Sequence, residues 1–238
     1  VMVSKTIKTP SFNSCENCTC RIDNAFGKLN NAEVELINTH KICRHYHKGE
    51  QIFREGTRAI GLFCISNGKV KIYKTGDEGR DQIVRLAGRG DIIGYRAVVS
   101  NEPYFASAMA LEDTTVCMVP LADFNQFMTE NADFVRAIIQ KLSQDLRHAE
   151  ERLLRLAQKS VRERMADTLL LLMDTYGTHG ADCLLNIELS REDIAAMVGT
   201  ATETAIRLIS DFRAEGILVT HAKKIGIRNE KALRAIAG

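Results

Sequence analysis

Apolar and polar positions alternate with two periods along this chain. Over residues 42–120 apolar residues recur at every second position in short runs cut by glycine. Gln51-Ile52-Phe53 precedes Gly56, Leu62-Phe63-Cys64-Ile65 precedes Asn67-Gly68, and Gln82-Ile83-Val84-Arg85-Leu86 precedes Gly88, Gly90 and Gly94. Period two reads as half-buried strand and the glycines as turns. Asn67-Gly68 between two such runs predicts a hairpin. Many short strands at close spacing predict an antiparallel sandwich or barrel, its last strand running over 114–119 and stopped by Pro120. Ahead of these strands, residues 31–37 predict a short helix capped by Asn30, with Glu33 completing a capping box.

The second half has a period between three and four. Phe134, Ile138, Leu142, Leu146, Ala149, Leu153 and Leu156 step along one face of a long helix whose other faces are charged. So narrow a seam predicts two such helices paired in a homodimer, with Ile138, Leu142, Leu146 and Leu153 in contact; packing along the chain's own domain is the alternative. After a break near Lys159-Ser160, a helix over 161–176 ends at Gly177 and Gly180. Ser190, with Asp193 three residues on, caps a helix over 191–198 that stops at Gly199; the turn Thr200-Ala201-Thr202 leads into a second helix from about Glu203 to Arg213. Two helices joined by a tight glycine turn form a helix-turn-helix, with Ile194, Ala195, Val198, Ala205, Leu208, Ile209 and Phe212 as its core. Thr202, Glu203, Ile206, Arg207 and Ser210 then face outward. Arginine bonds guanine in bidentate fashion, glutamate accepts from cytosine, and Ile206 suits a thymine methyl. A surface ion pair between Glu203 and Arg207 is the bland alternative. The hairpin expected over 217–228 tells against it: its tip carries Lys223 and Lys224, placed like a wing that reaches phosphates.

Composition narrows the function. The 238 residues suffice for two modest domains. Net charge is only +2, but from Ala201 onward seven basic side chains stand against four acidic ones, a balance that permits binding to double-stranded DNA. No apolar run approaches a membrane span, and the first residues lack the apolar core of a secretory signal, so a cytoplasmic location is expected. Seven cysteines in that setting are expected as thiols or metal ligands rather than disulfides. No Ser-His-Asp arrangement, phosphate-cradling glycine loop or paired carboxylate site can be placed, so no enzyme is expected. An effector-binding module acting through protein contacts is the competing reading, but it would not need an outward polar helix face or a basic wing.

This order of parts resembles the CRP/FNR family of bacterial regulators. The motifs are His47-Lys48-Gly49-Glu50-Gln51-Ile52-Phe53, Ile65-Ser66-Asn67-Gly68-Lys69-Val70-Lys71, Gly90-Asp91-Ile92-Ile93-Gly94, Val161-Arg162-Glu163-Arg164-Met165-Ala166 and Leu189-Ser190-Arg191-Glu192-Asp193-Ile194-Ala195. The resemblance implies an α+β chain. Its parts would be a cysteine-bearing segment (1–25), a cyclic-nucleotide-binding-like β-roll or jelly-roll sensor domain (26–130), a dimerisation helix (131–158) and a C-terminal winged helix-turn-helix (159–238). It further implies a palindromic site, with Glu203 and Arg207 reading a G·C-containing core; the family often has serine or glycine where Ile206 stands. An effector pocket is implied around Gly90, Asp91, Gly94, Tyr95 and Ser107. The charged turn over 76–81 resembles a family surface that touches RNA polymerase.

The sensed signal is the open point. Cyclic-nucleotide members place an arginine and a hydroxyl late in the pocket loop, a cationic fork for phosphate. Residues 101–108 hold Ser107 and no arginine, so cyclic AMP is not expected. The FNR branch holds an iron–sulfur cluster with N-terminal cysteines and one cysteine on the strand ending Val116-Cys117-Met118-Val119-Pro120. Cys15, Cys18 and Cys117 match three ligand positions; the fourth ligand would be Cys20, closer to Cys18 than the pattern has it, or the oxygen of Asp23. An extended Cys-x-Cys points its sulfurs apart, so a turn is required there. Zinc, a thiol-redox role or no metal at all are the other readings. Cys43, Cys64 and Cys183 read as apolar thiols, and His45 and His47, on one strand face, as solvated residues.

Overall fold

The computed structural model of the chain describes residues 14–22, 24–76 and 79–238. A 3-10 turn over Cys15–Asn17 leads into α1 (Thr19–Ile22), a second 3-10 turn over Ala25–Lys28 and α2 (Asn31–His40). The Asn30 side chain accepts from the Glu33 amide while the Glu33 carboxylate accepts from the Asn30 amide, the reciprocal box that the sequence implied. Then come β1 (Ile42–Tyr46), β2 (Gln51–Phe53), β3 (Gly61–Asn67), β4 (Val70–Thr75), β5 (Asp81–Ala87), β6 (Ile92–Ile93), α3 (Tyr95–Ser100), β7 (Ser107–Ala110) and β8 (Thr114–Pro120). They form two four-stranded antiparallel sheets, ordered β1-β8-β3-β6 and β2-β7-β4-β5. Ile65, Val70, Ala108 and Val116 are buried in the core of this domain.

Asn67-Gly68 does not close a hairpin. β3 pairs with β8 and β4 pairs with β7, so the chain turns a corner from one sheet to the other at this point. The return path from β7 to β8 turns the same corner beside it: Lys69 O accepts from the Leu111 amide (2.8 Å) and from Thr114 Oγ1 (3.3 Å). Gly68 has φ +95°, and a Cβ there would stand 2.3 Å from Thr114 Oγ1. The glycine serves a crossing of two chain segments, which a local pattern cannot distinguish from a tight turn.

Two helices follow, α4 (Leu121–Glu130) and α5 (Ala132–Gln158). The start of α5 belongs to the β domain. Phe134 packs against Phe26, Phe124 and Phe127 with ring centroids 5.5–5.7 Å apart, and Ile138 is 1% exposed. Ile138 is therefore a core residue, which corrects its placement in the dimer seam. Leu142 is half-buried against the same core, whereas Leu146 and Leu153 are 61% and 67% exposed. The exposed residue of the first turns is Ile139. Ile139, Leu142, Leu146, Ala149, Leu153 and Leu156 repeat with alternating steps of three and four, a heptad stripe. Two apolar stripes thus share the helix start, one turned inward and one outward.

The C-terminal domain contains α6 (Val161–Tyr176), β9 (Thr178–His179), β10 (Leu184–Leu185), α7 (Arg191–Val198), α8 (Thr202–Ala214), β11 (Leu218–His221), β12 (Lys224–Ile227) and α9 (Glu230–Ala237). Its sheet runs β11-β12-β10-β9, and its own core includes Met165, Leu169, Phe212 and Leu233. α7 packs on the β4–β5 face of the N-terminal domain. Tyr73, Ile83 and Ala196 form a small apolar cluster there, and Lys71 Nζ meets Asp193 Oδ1 at 2.6 Å. No described helix is long and apolar enough to cross a membrane.

Candidate functional site

The helix-turn-helix is built from local signals. The Ser190 hydroxyl accepts from the Asp193 amide (3.0 Å) and the Asp193 carboxylate accepts from the Ser190 amide (3.3 Å), which starts α7. Gly199 ends it in the left-handed region at φ +74°. Ala201, not a hydroxyl residue, occupies the N-cap of α8, so the first amides of that helix have no side-chain acceptor. Ile194, Ala195, Val198, Ala205, Leu208, Ile209 and Phe212 are all buried. On the opposite face Glu203, Ile206, Arg207 and Ser210 are exposed and Thr202 is half-exposed. Among the described residues Glu203 and Arg207 make no ion pair and no side-chain hydrogen bond, with each other or with any neighbour.

The hairpin β11–β12 follows α8, with β11 packed on that helix and His221 opposite Lys224. Its turn is the pair Ala222-Lys223; Lys224 begins β12 rather than lying in the loop. Arg191 donates to Ala222 O and Lys223 O, both at 3.5 Å, which ties the hairpin tip to the start of α7. Lys223 and Lys224 are exposed and, among the described residues, carry no ion pair.

Two cavities lie in the N-terminal domain. The first, about 410 Å³, separates the N-terminal segment from the β1-β8-β3 sheet, and Cys15, Cys18, Cys20, Cys64 and Cys117 all line it. The turn required between Cys18 and Cys20 is supplied by α1, which brings both sulfurs to one cavity. Asp23 lies outside the described residues. Lys41 Nζ donates to Cys15 Sγ (3.1 Å) and Arg89 Nε to Cys20 Sγ (3.2 Å). Burial pushes the Cys64 thiol far up, and the neighbouring Cys15, Cys18 and Cys20 add to the shift. The expected ligand set departs from the structure at Cys117, which is disulfide-bonded to Cys43. The β1–β8 register sets these two residues directly opposite each other, a proximity that spacing along the chain does not reveal. His45 and His47, with Asp113, bring three side-chain ligand atoms within 4.8 Å of one another on the exposed surface.

The second cavity, about 570 Å³, opens between the β domain and α5. Gly94 and Tyr95 line it, as expected of an effector pocket, along with Arg96, Phe105, His148 and Arg152. Gly90, Asp91 and Ser107 do not. Gly90 O accepts from the Asn24 amide group (3.0 Å), so that glycine faces the cysteine segment. Asp91 holds its own turn through the Gly88 amide (2.8 Å) and pairs with Arg85 (3.1 Å). Ser107 is buried, and its hydroxyl accepts from the Glu55 amide (3.0 Å).

Residues 43–131 match the cyclic nucleotide-binding domain and residues 163–236 match the Crp-like helix-turn-helix domain. The chain belongs to the CRP/FNR family of transcription regulators. It is 28% identical to the fumarate and nitrate reduction regulatory protein of Escherichia coli, across 88% of this chain and 84% of that one. It is likewise 28% identical to the transcriptional activator protein anr of Pseudomonas aeruginosa, across 82% and 80% of the two chains. The structure of FixK2 from Bradyrhizobium japonicum superposes with a TM-score of 0.73 at 28% identity, covering 83% of this chain and 98% of that one. The CRP/FNR family is one of transcriptional regulators and not of enzymes.

In this regulator a polar network joins the second cavity to α5. Asp145 on α5 accepts from Arg85 (3.0 Å), Lys141 (2.6 Å) and the Tyr95 hydroxyl. Burial alone would raise its carboxyl, but Arg85, followed by Lys141 and Tyr95, outweighs it and holds Asp145 below the usual carboxylate range. Burial and the Asp145 bond push the Tyr95 hydroxyl well up. Nothing local in the sequence marks Asp145 or Arg85 as partners, since 60 positions separate them. Ile139 was legible and missed: its sevenfold spacing to Leu146 and Leu153 was the signal.

Proposed function

We propose that this regulator works as a homodimer on a palindromic DNA site, gated by a signal received in its β domain. The observation that carries the reading is the unpaired Glu203–Arg207 face of α8, flanked by the unpaired lysines 223 and 224. Desolvating charged side chains is unfavourable unless partners replace water, and base edges and phosphates are partners of the required chemistry. On this reading Arg207 and Glu203 read a G·C-containing core, Thr202, Ile206 and Ser210 contact flanking groups, and the wing holds phosphates. The heptad stripe of α5 pairs with its copy in a second chain. The chain divides into the cysteine segment (1–25), the sensor (26–130), the pairing helix (131–158) and the DNA-binding domain (159–238). The turn over 76–81 offers a charged surface to RNA polymerase; Asp77 and Glu78 within it lie outside the described residues.

Two routes connect signal to DNA. One runs from the second cavity through Tyr95 and Arg85 to Asp145, hence to the pairing helix. The other is the docking of α7 on β4 and β5 through Lys71–Asp193 and through Arg152, whose guanidinium donates to Met197 O at 3.1 Å. The second cavity does not favour cyclic AMP as the effector: Arg85 is already held by Asp91 and Asp145, Arg96 is exposed and stacked on Phe105, and Ser107 faces the backbone.

The cysteine cavity suits an iron–sulfur group, which would supply an oxygen- or redox-sensitive centre. Cys15, Cys18, Cys20 and Cys64 share one cavity of about 410 Å³, and Lys41 and Arg89 donate to two of its sulfurs, which suits the negative charge of a thiolate-bound polynuclear group.

The test has two parts. Arg207→Ala should weaken operator binding at fixed salt by about 1–3 kcal/mol and leave the dimer intact; unchanged affinity refutes the recognition face. Protein prepared without oxygen should carry iron and absorb broadly in the visible; a colourless, metal-free preparation that still binds its operator refutes the cluster.

A further inference from the structure

Three cysteines stand side by side on three adjacent strands. Cys43 on β1 is opposite Cys117 on β8, and Cys117 is opposite Cys64 on β3. Directly opposed residues of antiparallel strands project from the same face of the sheet. Cys117 therefore has a sulfur-bearing neighbour on each side, and its sulfur is bonded to Cys43. Cys64 is a free thiol on the same cavity wall as the N-terminal cysteines.

We infer that the fourth sulfur of the N-terminal metal site is Cys64 on β3, so that Cys15, Cys18, Cys20 and Cys64 form the ligand set and Cys117 remains paired with Cys43. This rests on the cluster reading above and names the residues that close it. Cys20 is already anchored to the wall next to Cys64, since its thiol donates to Ser66 O (3.4 Å), two residues along β3. Ser66 lines the same cavity as Cys64, on the stretch where β3 bulges between Ile65 and Asn67. Cys15 is fixed to α2, its amide donating to Asn38 Oδ1 at 2.7 Å. The sulfurs of Cys15 and Cys20 are thus held by short contacts at the cavity that Cys18 also lines, and Cys64 is the thiol of its sheet wall with no covalent partner. The two cationic donors, Lys41 and Arg89, lie on the N-terminal sulfurs, where they offset the negative charge that four thiolates bring.

The experiment uses the full chain, purified without oxygen and without added thiol. Iron and acid-labile sulfide are measured per chain for the wild type and for Cys64→Ser, Cys117→Ser and Cys43→Ser. Cys64→Ser should lose both, while Cys117→Ser and Cys43→Ser keep the wild-type content. The reverse pattern, with iron lost on Cys117→Ser and kept on Cys64→Ser, overturns the assignment. Because Cys64→Ser could fail to fold, the wild type is also alkylated before and after chelation and mapped by mass spectrometry. Cys15, Cys18, Cys20 and Cys64 should become reactive only after chelation, with Cys117 linked to Cys43 throughout. A Cys117 thiol unmasked by the chelator, with Cys64 reacting equally in both states, overturns it as well. If the wild type carries no iron or sulfide, the cluster reading fails. The same mapping with cadmium, a soft thiolate-seeking ion, then still decides which cysteine closes the set.

Discussion

Replacing Leu146 by alanine is expected to weaken self-association while leaving the fold of each chain unchanged. Leu146 sits at the middle of the outward stripe of α5 and is 61% exposed in the single chain. Full burial of a leucine side chain stabilises by about 1.5–3 kcal/mol, so covering three-fifths of it contributes roughly 1–2 kcal/mol per copy. A twofold interface counts the residue twice, and the loss becomes roughly 2–4 kcal/mol, or about 30- to 700-fold in the dimer dissociation constant. Sedimentation over a dilution series measures that constant directly. The control is Leu171→Ala: Leu171 on α6 is also exposed, at 49%, but lies off the stripe. Its dissociation constant should match the wild type. If Leu146→Ala and Leu171→Ala behave alike, or if Leu146→Ala dimerises as tightly as the wild type, the heptad stripe is not the interface.

Lys71→Met should destabilise by about 2–4 kcal/mol in denaturant unfolding, because it leaves the mostly buried Asp193 with only its Ser190 contacts; a loss below about 1 kcal/mol would make the pair an ordinary surface one. Asp145→Asn should be destabilising at neutral pH, with a deficit that shrinks in acid. A carboxylate whose folded pKa is lowered contributes stability that is fully present above its unfolded value, near about 3.9, and is lost as pH falls through the folded one. Thermal melts of both proteins from neutral to strongly acidic pH check this, and a deficit that stays constant or grows in acid contradicts it. Gly68→Ala should lower stability by more than the roughly 1 kcal/mol of a left-handed alanine alone, since its Cβ also collides with Thr114; a melt within error of the wild type would refute the crossing-corner account.

Features made by neighbours along the chain were legible in the sequence. The capping boxes at Asn30–Glu33 and Ser190–Asp193, the stop at Gly199, the buried face of the helix-turn-helix and the outward position of Glu203, Ile206, Arg207 and Ser210 all follow from spacings of three and four residues. Hydrogen bonds and side-chain directions within one helix turn are fixed by the backbone geometry of that turn, so a local pattern is enough to find them. The wing was legible for the same reason, although its turn proved one residue shorter than the pattern suggested.

Tertiary structure alone decided the rest. Whether Asn67-Gly68 closes a hairpin or turns a corner depends on which strands β3 and β4 pair with, and those partners, β8 and β7, lie far downstream, from Ser107 to Pro120. Ile138 and Ile139 are equally apolar neighbours, and only the docking of α5 on the β domain sends one into the core and leaves the other to the outward stripe. Cys43, Cys64 and Cys117 carry no sequence spacing that joins them; strand register sets them in a row and divides one bonded pair from one free thiol. Asp145 gains its role in the same way, from Arg85 and Tyr95 on elements far along the chain. Apolar periodicity thus determined which elements form and which face each one buries. The choice of partners lay with the packing of whole sheets and helices against each other, where burial and close contact select among arrangements that the local pattern leaves equivalent.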